Sequence, residues 1–235
     1  MLKNRAYERR GRGRFCSIKC GARKYKVDES YFDKIDTEEK AYWLGFIDGD
    51  GYQNGQELII NLGRKDEHHL AKLKEALRSE HPIKLTEHKI TYRGMERRSS
   101  IARLGISSQT ICTSLEKLGC FRAKSLTVLY PPIDKNLDRH FIRGVFDADG
   151  CLYVSKKGHR KWSLHSASPI FLTTIKDKLM DAGINVANPP SQGGRNLTAS
   201  RGELIEKLHS YLYDGASVFL GRKESKFGCT GLLIQ

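Results

Sequence analysis

Apolar positions recur at three- and four-residue steps through Ala41, Leu44 and Ile47, with the small Gly45 and Gly49 on the same turns. That spacing predicts a helix ending at Gly51. Asp36-Thr37-Glu38-Glu39 reads as its capping-box start, with Asp36 as the cap. Tyr52 to Leu62 then alternates as a hairpin about Asn54-Gly55. Lys65 to Ser79 predicts a helix buried along Leu70, Leu73, Ala76 and Leu77, with the adjacent His68 and His69 read as surface residues. Ile83 to Ile90 and Arg97 to Ile106 form a second hairpin about Arg93-Gly94, and Ser107 or Ser108 caps a helix running to Leu118. The same order follows a Pro131-Pro132 linker. Leu137 to Asp149 is a helix, Cys151 to Ser155 and Lys161 to Ala167 are strands, and Pro169 to Ala182 is a helix with Pro169 in its first turn. Ile184 to Ala187 and Arg195 to Ala199 are short strands, Arg201 to Tyr213 is the last long helix, and a tail follows whose start, Ala216 to Lys226, carries more basic residues.

The recurrence has a motif at its centre. Trp43-Leu44-Gly45-Phe46-Ile47-Asp48-Gly49-Asp50-Gly51 and Ile142-Arg143-Gly144-Val145-Phe146-Asp147-Ala148-Asp149-Gly150 share Gly, Asp, Asp and Gly at the third, sixth, eighth and ninth places. Asp50 and Asp149 lie 99 residues apart. One repeat at that spacing means two similar halves rather than a solenoid. Small residues four apart, Gly45 with Gly49 and Gly144 with Ala148, let two helix backbones approach closely. Packing the helices along that seam brings Asp50 near Asp149, each at a helix C-terminus that already concentrates negative charge. A hard divalent cation relieves this repulsion, and two carboxylates about such metal suit phosphodiester hydrolysis.

Charge points to the same partner. The chain of 235 residues carries a formal net charge of +14, which favours a polyanion such as nucleic acid. Residues 1–26 hold ten Lys or Arg against the single acid Glu8, so a flexible phosphate-tracking arm supplies +9 of that total. Cys16 and Cys20 are spaced as half of a zinc site, without a matching pair nearby. The six cysteines form no even framework, and no apolar run approaches a membrane span or a secretory signal. A cytoplasmic or organellar protein bound to DNA, with no membrane partner, is expected.

The paired motif resembles that of the single-chain, two-repeat LAGLIDADG homing endonucleases, each copy matching five of the nine letters. The resemblance implies an α+β fold of two pseudo-symmetric αββαββα halves, with the motif helices as interface and two four-stranded antiparallel sheets as a saddle over DNA. It divides the chain into an arm (1–26), a first half (27–118), a linker (119–138) and a second half with its tail (139–235). It implies a monomeric, metal-dependent DNA endonuclease that cuts both strands of a long asymmetric target, one catalytic Asp per strand, in intron homing. Asp50 and Asp149 would be catalytic metal ligands, joined by the carbonyls of Gly49 and Ala148. Mg²⁺ or Mn²⁺ is the implied cofactor, with Ca²⁺ supporting binding without cleavage. A basic residue near each site is implied, for which Lys124, Arg201 and Lys226 are candidates. The hairpins offer Arg93, Arg97, Arg98, Lys156, Lys157, Arg160, Lys161 and Arg195 to DNA. An RNA maturase acting on intron RNA, or a non-cleaving DNA-binding regulator, would use the same fold.

Overall fold

The structure is a computed structural model that describes residues 25–92, 95–121, 128–188 and 193–228. Helix α1 (Glu38–Asp50) leads into strands β1 (Gly51–Gln53) and β2 (Glu57–Gly63). A 3₁₀ turn (Arg64–Asp66) enters α2 (Glu67–Ala76), and β3 (Ile83–Tyr92), β4 (Met95–Ser107) and α3 (Gln109–Lys117) complete the first half. The second half repeats the order with α4 (Asp138–Asp149), β5 (Gly150–Val154), β6 (Arg160–His165), α5 (Pro169–Asp181), β7 (Asn196–Ala199) and α6 (Gly202–Tyr213). A short α7 (Gly221–Glu224) and a 3₁₀ turn (Ser225–Gly228) follow.

Local chemistry explains the boundaries. Thr37, not Asp36, caps α1, accepting from the Lys40 amide, while Asp36 pairs at 3.0 Å with the Lys40 ammonium. Both residues suit a cap in sequence, but Thr37 is the one with extended backbone ahead of the first helical turn. Ser108 caps α3 and Ser168 caps α5, with Pro169 opening that helix. Gly55, at φ 84°, makes the β1–β2 turn that a side chain would strain.

The first sheet is four-stranded and antiparallel in the order β1-β2-β4-β3. The second has three strands among the described residues, β5-β6-β7, where four were expected. The segment around Ala187 makes a bridge to Thr198, and its Ile184 and Val186 are buried in the core. Each sheet buries one face beneath its helices. Ile60, Leu104, Trp162 and Leu164 are fully enclosed, whereas Tyr52 and Tyr153 stand out on the opposite faces. His68 and His69 do not share the surface position read from sequence. His69 is wholly buried, between Tyr42, Trp43 and Phe46. Leu70 and Leu73 set the buried side of α2, and His69 falls at its edge, where the motif helix covers it.

Candidate active site

The seam between α1 and α4 has no room for side chains at its centre. A methyl group on Gly45 would run into the Phe141 carbonyl, and one on Gly144 into the Tyr42 carbonyl and the Phe46 amide. Near the C-terminal ends, a methyl on Gly49 would strike the Ala148 side chain and lie 3.2 Å from Oδ2 of Asp149. The missing Cβ of Gly49 is thus the space the Ala148 methyl occupies, with the Asp149 carboxylate alongside. The pairing brings the two eighth-position acids to the same end of the seam.

The sixth-position acid of the second copy has a different task. Asp147 is buried and accepts three hydrogen bonds: from Tyr213 Oη at 2.6 Å, Tyr42 Oη at 2.8 Å and the Leu220 amide at 2.6 Å. Burial raises its pKa, and these donors act against that rise. Tyr42 has one proton, given to Asp147, so the His69 nitrogen 2.8 Å from its oxygen must be the protonated Nε2. Arg143, at the motif's second place, is fully buried. It donates to the Val218 and Leu212 carbonyls and to Glu38 at 2.8 Å, and it lies over the Tyr42 ring.

The tail supplies the cation that the acid pair calls for. Lys223 is 8% exposed, and its ammonium donates to the carbonyls of Phe146 (3.1 Å), Ala148 (3.0 Å) and Gly150 (2.5 Å) at the end of α4. Burial lowers its pKa, while Asp147, Asp50 and Asp149 pull it the other way. Its neighbour Arg222 also lies within the field of Asp50. Lys223 was missed in sequence, although the run of basic residues from Ala216 to Lys226 marked its neighbourhood. The stronger signal is the repeat itself, because Lys223 follows Asp149 by the interval that separates Lys124 from Asp50.

The oxygen donors suit a hard cation. Asp50 and Asp149, with the carbonyls of Gly49 and Ala148, are the groups at this end of the seam that could hold one. The Ala148 carbonyl already accepts from Lys223. Among the described residues no three His, Cys, Asp or Glu side chains converge as a metal cluster.

The other sequence candidates are scattered. Lys124, Arg93 and the Cys16–Cys20 pair lie outside the described residues, as does nearly all of the arm. Arg201 is exposed and stands at the N-cap of α6. Lys156, Lys157, Lys161 and Arg195 are exposed on or beside the second sheet. Lys161 pairs with Tyr153 on the open face. Arg160 belongs to the opposite row, with Trp162 and Leu164, and must be taken off the open face. It donates to the Phe227 carbonyl at 2.9 Å and to Glu206 at 2.5 Å. Arg98, exposed and paired with Lys89, alternates away from Arg103, which stands between Asn61 and Lys84 on the open face of the first sheet. Arg97 is placed on β4, opposite Ile90.

Residues 136–212 match the family model described as a LAGLIDADG-like domain. No curated protein matches the chain in sequence. Among solved structures the chain is similar to the homing endonuclease I-WcaI bound to its DNA recognition sequence. The TM-score is 0.56 at 14% identity, over 85% of this chain and 91% of that one. It is also similar to the N-terminal LAGLIDADG domain of DUF199/WhiA, with a TM-score of 0.50 at 16% identity, over 84% of this chain and 93% of that one. The fold is that of the LAGLIDADG homing endonucleases, as the paired motif implied.

Proposed function

We propose that this chain is a site-specific, metal-dependent endonuclease of double-stranded DNA. The observation that carries this reading is the close approach of Gly49 to Asp149 at the ends of two abutting helices, with the Lys223 ammonium in the field of Asp50 and Asp149. Asp50, Asp149 and the Gly49 carbonyl would hold Mg²⁺ or Mn²⁺, with the Ala148 carbonyl shared with Lys223. Bound there, the ion would polarise the scissile phosphate and lower the pKa of its water. Lys223 presents a fixed positive charge where negative charge grows on the phosphate and leaving oxygen. Lys124 holds the equivalent sequence position in the first half and is assigned the same role. Asp147 is a structural anchor rather than a second catalytic acid at that end.

Binding rests on the open sheet faces. Arg103, Lys84 and Lys161 face outward with Tyr52 and Tyr153, Lys156 and Lys157 lie in the exposed turn between β5 and β6, Arg97 lies on β4, and Arg195 is exposed beside β7. I-WcaI is bound to its DNA recognition sequence, and this chain would lie on double-stranded DNA in the same manner, as a monomer.

A second reading has one observation in its favour. Lys223 occupies a carbonyl expected to face a metal, as a non-cleaving DNA-binding protein of this fold would permit. The deciding experiment uses the joined exons of an intron-bearing host gene as target, with Mg²⁺. Cleavage by the natural chain, lost with retained binding in Asp50→Asn and Asp149→Asn, supports the nuclease. Tight binding without cleavage in Mg²⁺ or Mn²⁺ supports the regulator.

A further inference from the structure

Asp66 and Arg222 stand 156 residues apart in the chain and meet as a two-pronged ion pair. Arg222 Nη2 lies 2.8 Å from Oδ2, and Nε lies 3.0 Å from Oδ1 and 3.1 Å from Oδ2. Asp66 belongs to the 3₁₀ turn before α2, in the first half, and is 4% exposed. Its place before a helix suggests a cap, but its side chain makes no capping hydrogen bond to α2. Both oxygens instead face the guanidinium, whose pKa they raise. Such planar two-pronged pairs fix direction as well as distance.

The residue so fixed is the neighbour of Lys223. The Leu220 amide is pinned by Asp147 of the second half, and Arg222 is pinned by Asp66 of the first. Lys223 is the next residue, and its flexible side chain reaches three carbonyls of the second motif helix. A lysine has four rotatable bonds, so an ammonium is held in place only if its backbone is.

We infer that Asp66 is a positioning residue: through Arg222 it fixes the backbone from which Lys223 reaches the end of the second motif helix. A side chain of the first half thereby sets the basic group of the second half's catalytic end. The inference rests on the nuclease reading for its catalytic consequence, but not for its geometric one.

Two measurements separate them. The first follows the two strands of the joined-exon target in single-turnover cleavage. Asp66→Asn keeps the shape and removes the charge. It is expected to slow one strand's cut about 10- to 100-fold, with target affinity and the other strand little changed, and Asp66→Glu should restore part of the loss. The second needs no cleavage: acylation of Lys223 by an amine-reactive reagent, read by mass spectrometry against exposed Lys65. Lys223 should be protected in the natural chain and react several times faster in Asp66→Asn, at a temperature well below either protein's melting point. Should the natural chain fail to cleave, the nuclease reading falls and the acylation result alone decides the geometric inference. Unchanged Lys223 protection in a folded Asp66→Asn protein overturns it. Equal slowing of both strands together with lost affinity shows a general scaffold role and also overturns it.

Discussion

Tyr42 of the first motif helix donates a 2.8 Å hydrogen bond to Asp147 of the second, and both side chains are buried. The two halves thus share a polar contact inside the seam as well as an apolar one. Tyr42→Phe leaves Asp147 short of a donor and the His69 Nε2–H unmatched. It should cost about 1–3 kcal/mol of unfolding free energy, measured by denaturant titration. Tyr153→Phe, on the open face, should leave stability unchanged.

His69 gives the fold a pH limit. Burial lowers its pKa to about 3, below its unfolded value, so the folded state holds the ring neutral. The stability this represents is fully present above about pH 6.5. It is lost as pH falls from there toward 3, at about 1.4 kcal/mol per pH unit. His140, lowered to about 4, adds to the same window. His69→Gln should flatten the fall between pH 6 and 4.5 in thermal melts. An unchanged slope would assign the acid sensitivity to other groups.

The glycines of the seam differ sharply from those elsewhere. Gly144→Ala drives a methyl into the Tyr42 carbonyl and should destabilise by about 1–3 kcal/mol through overpacking. Gly63→Ala meets open space and should be neutral or stabilise by about 0.5 kcal/mol. Chemical denaturation of the two variants side by side tests the contrast.

Lys223→Met removes the buried ammonium and keeps an unbranched side chain one atom shorter. Cleavage should fall with target binding retained. The melting temperature in EDTA should drop, because three carbonyls lose their donor. Millimolar Mg²⁺ should then raise the melting temperature of the variant more than that of the natural chain. Equal shifts in the two proteins would separate the lysine from the metal.

Deleting residues 1–24 removes eight net positive charges, nine basic residues against Glu8. Affinity for every DNA should fall and the slope of log K against log salt should flatten, with the preferred target unchanged. A shifted preference would show that the arm reads sequence.

The helices, hairpins and seam were legible because each is written in neighbouring residues: Gly45 and Gly144 at helical spacing, Asn54-Gly55 at a turn, Ser108 and Pro169 at helix starts. The pairing of the two motif helices was legible because the motif occurs twice. What escaped was everything decided by distant contact. His69 looked like a surface residue because nothing near it in sequence shows that Tyr42 and Trp43 close over it. Arg160 looked like a DNA contact because the sequence does not say that Glu206 and the Phe227 carbonyl wait on the core side. The Ile184 to Ala187 segment was read as a strand, but among the described residues it makes only the Ala187–Thr198 bridge. The tail was read only as basic, and its role depends on partners more than 70 residues upstream.

The clasp formed by Ser217, Leu220, Arg222 and Lys223 also has a meaning in time. Ribosomes deliver it after both motif helices, and it must return to Glu38, 179 residues back, and to Asp66. Contacts of such long sequence separation form late in folding. A nascent chain therefore carries Asp50 and Asp149 before the buried Lys223 ammonium that lies in their field has been made.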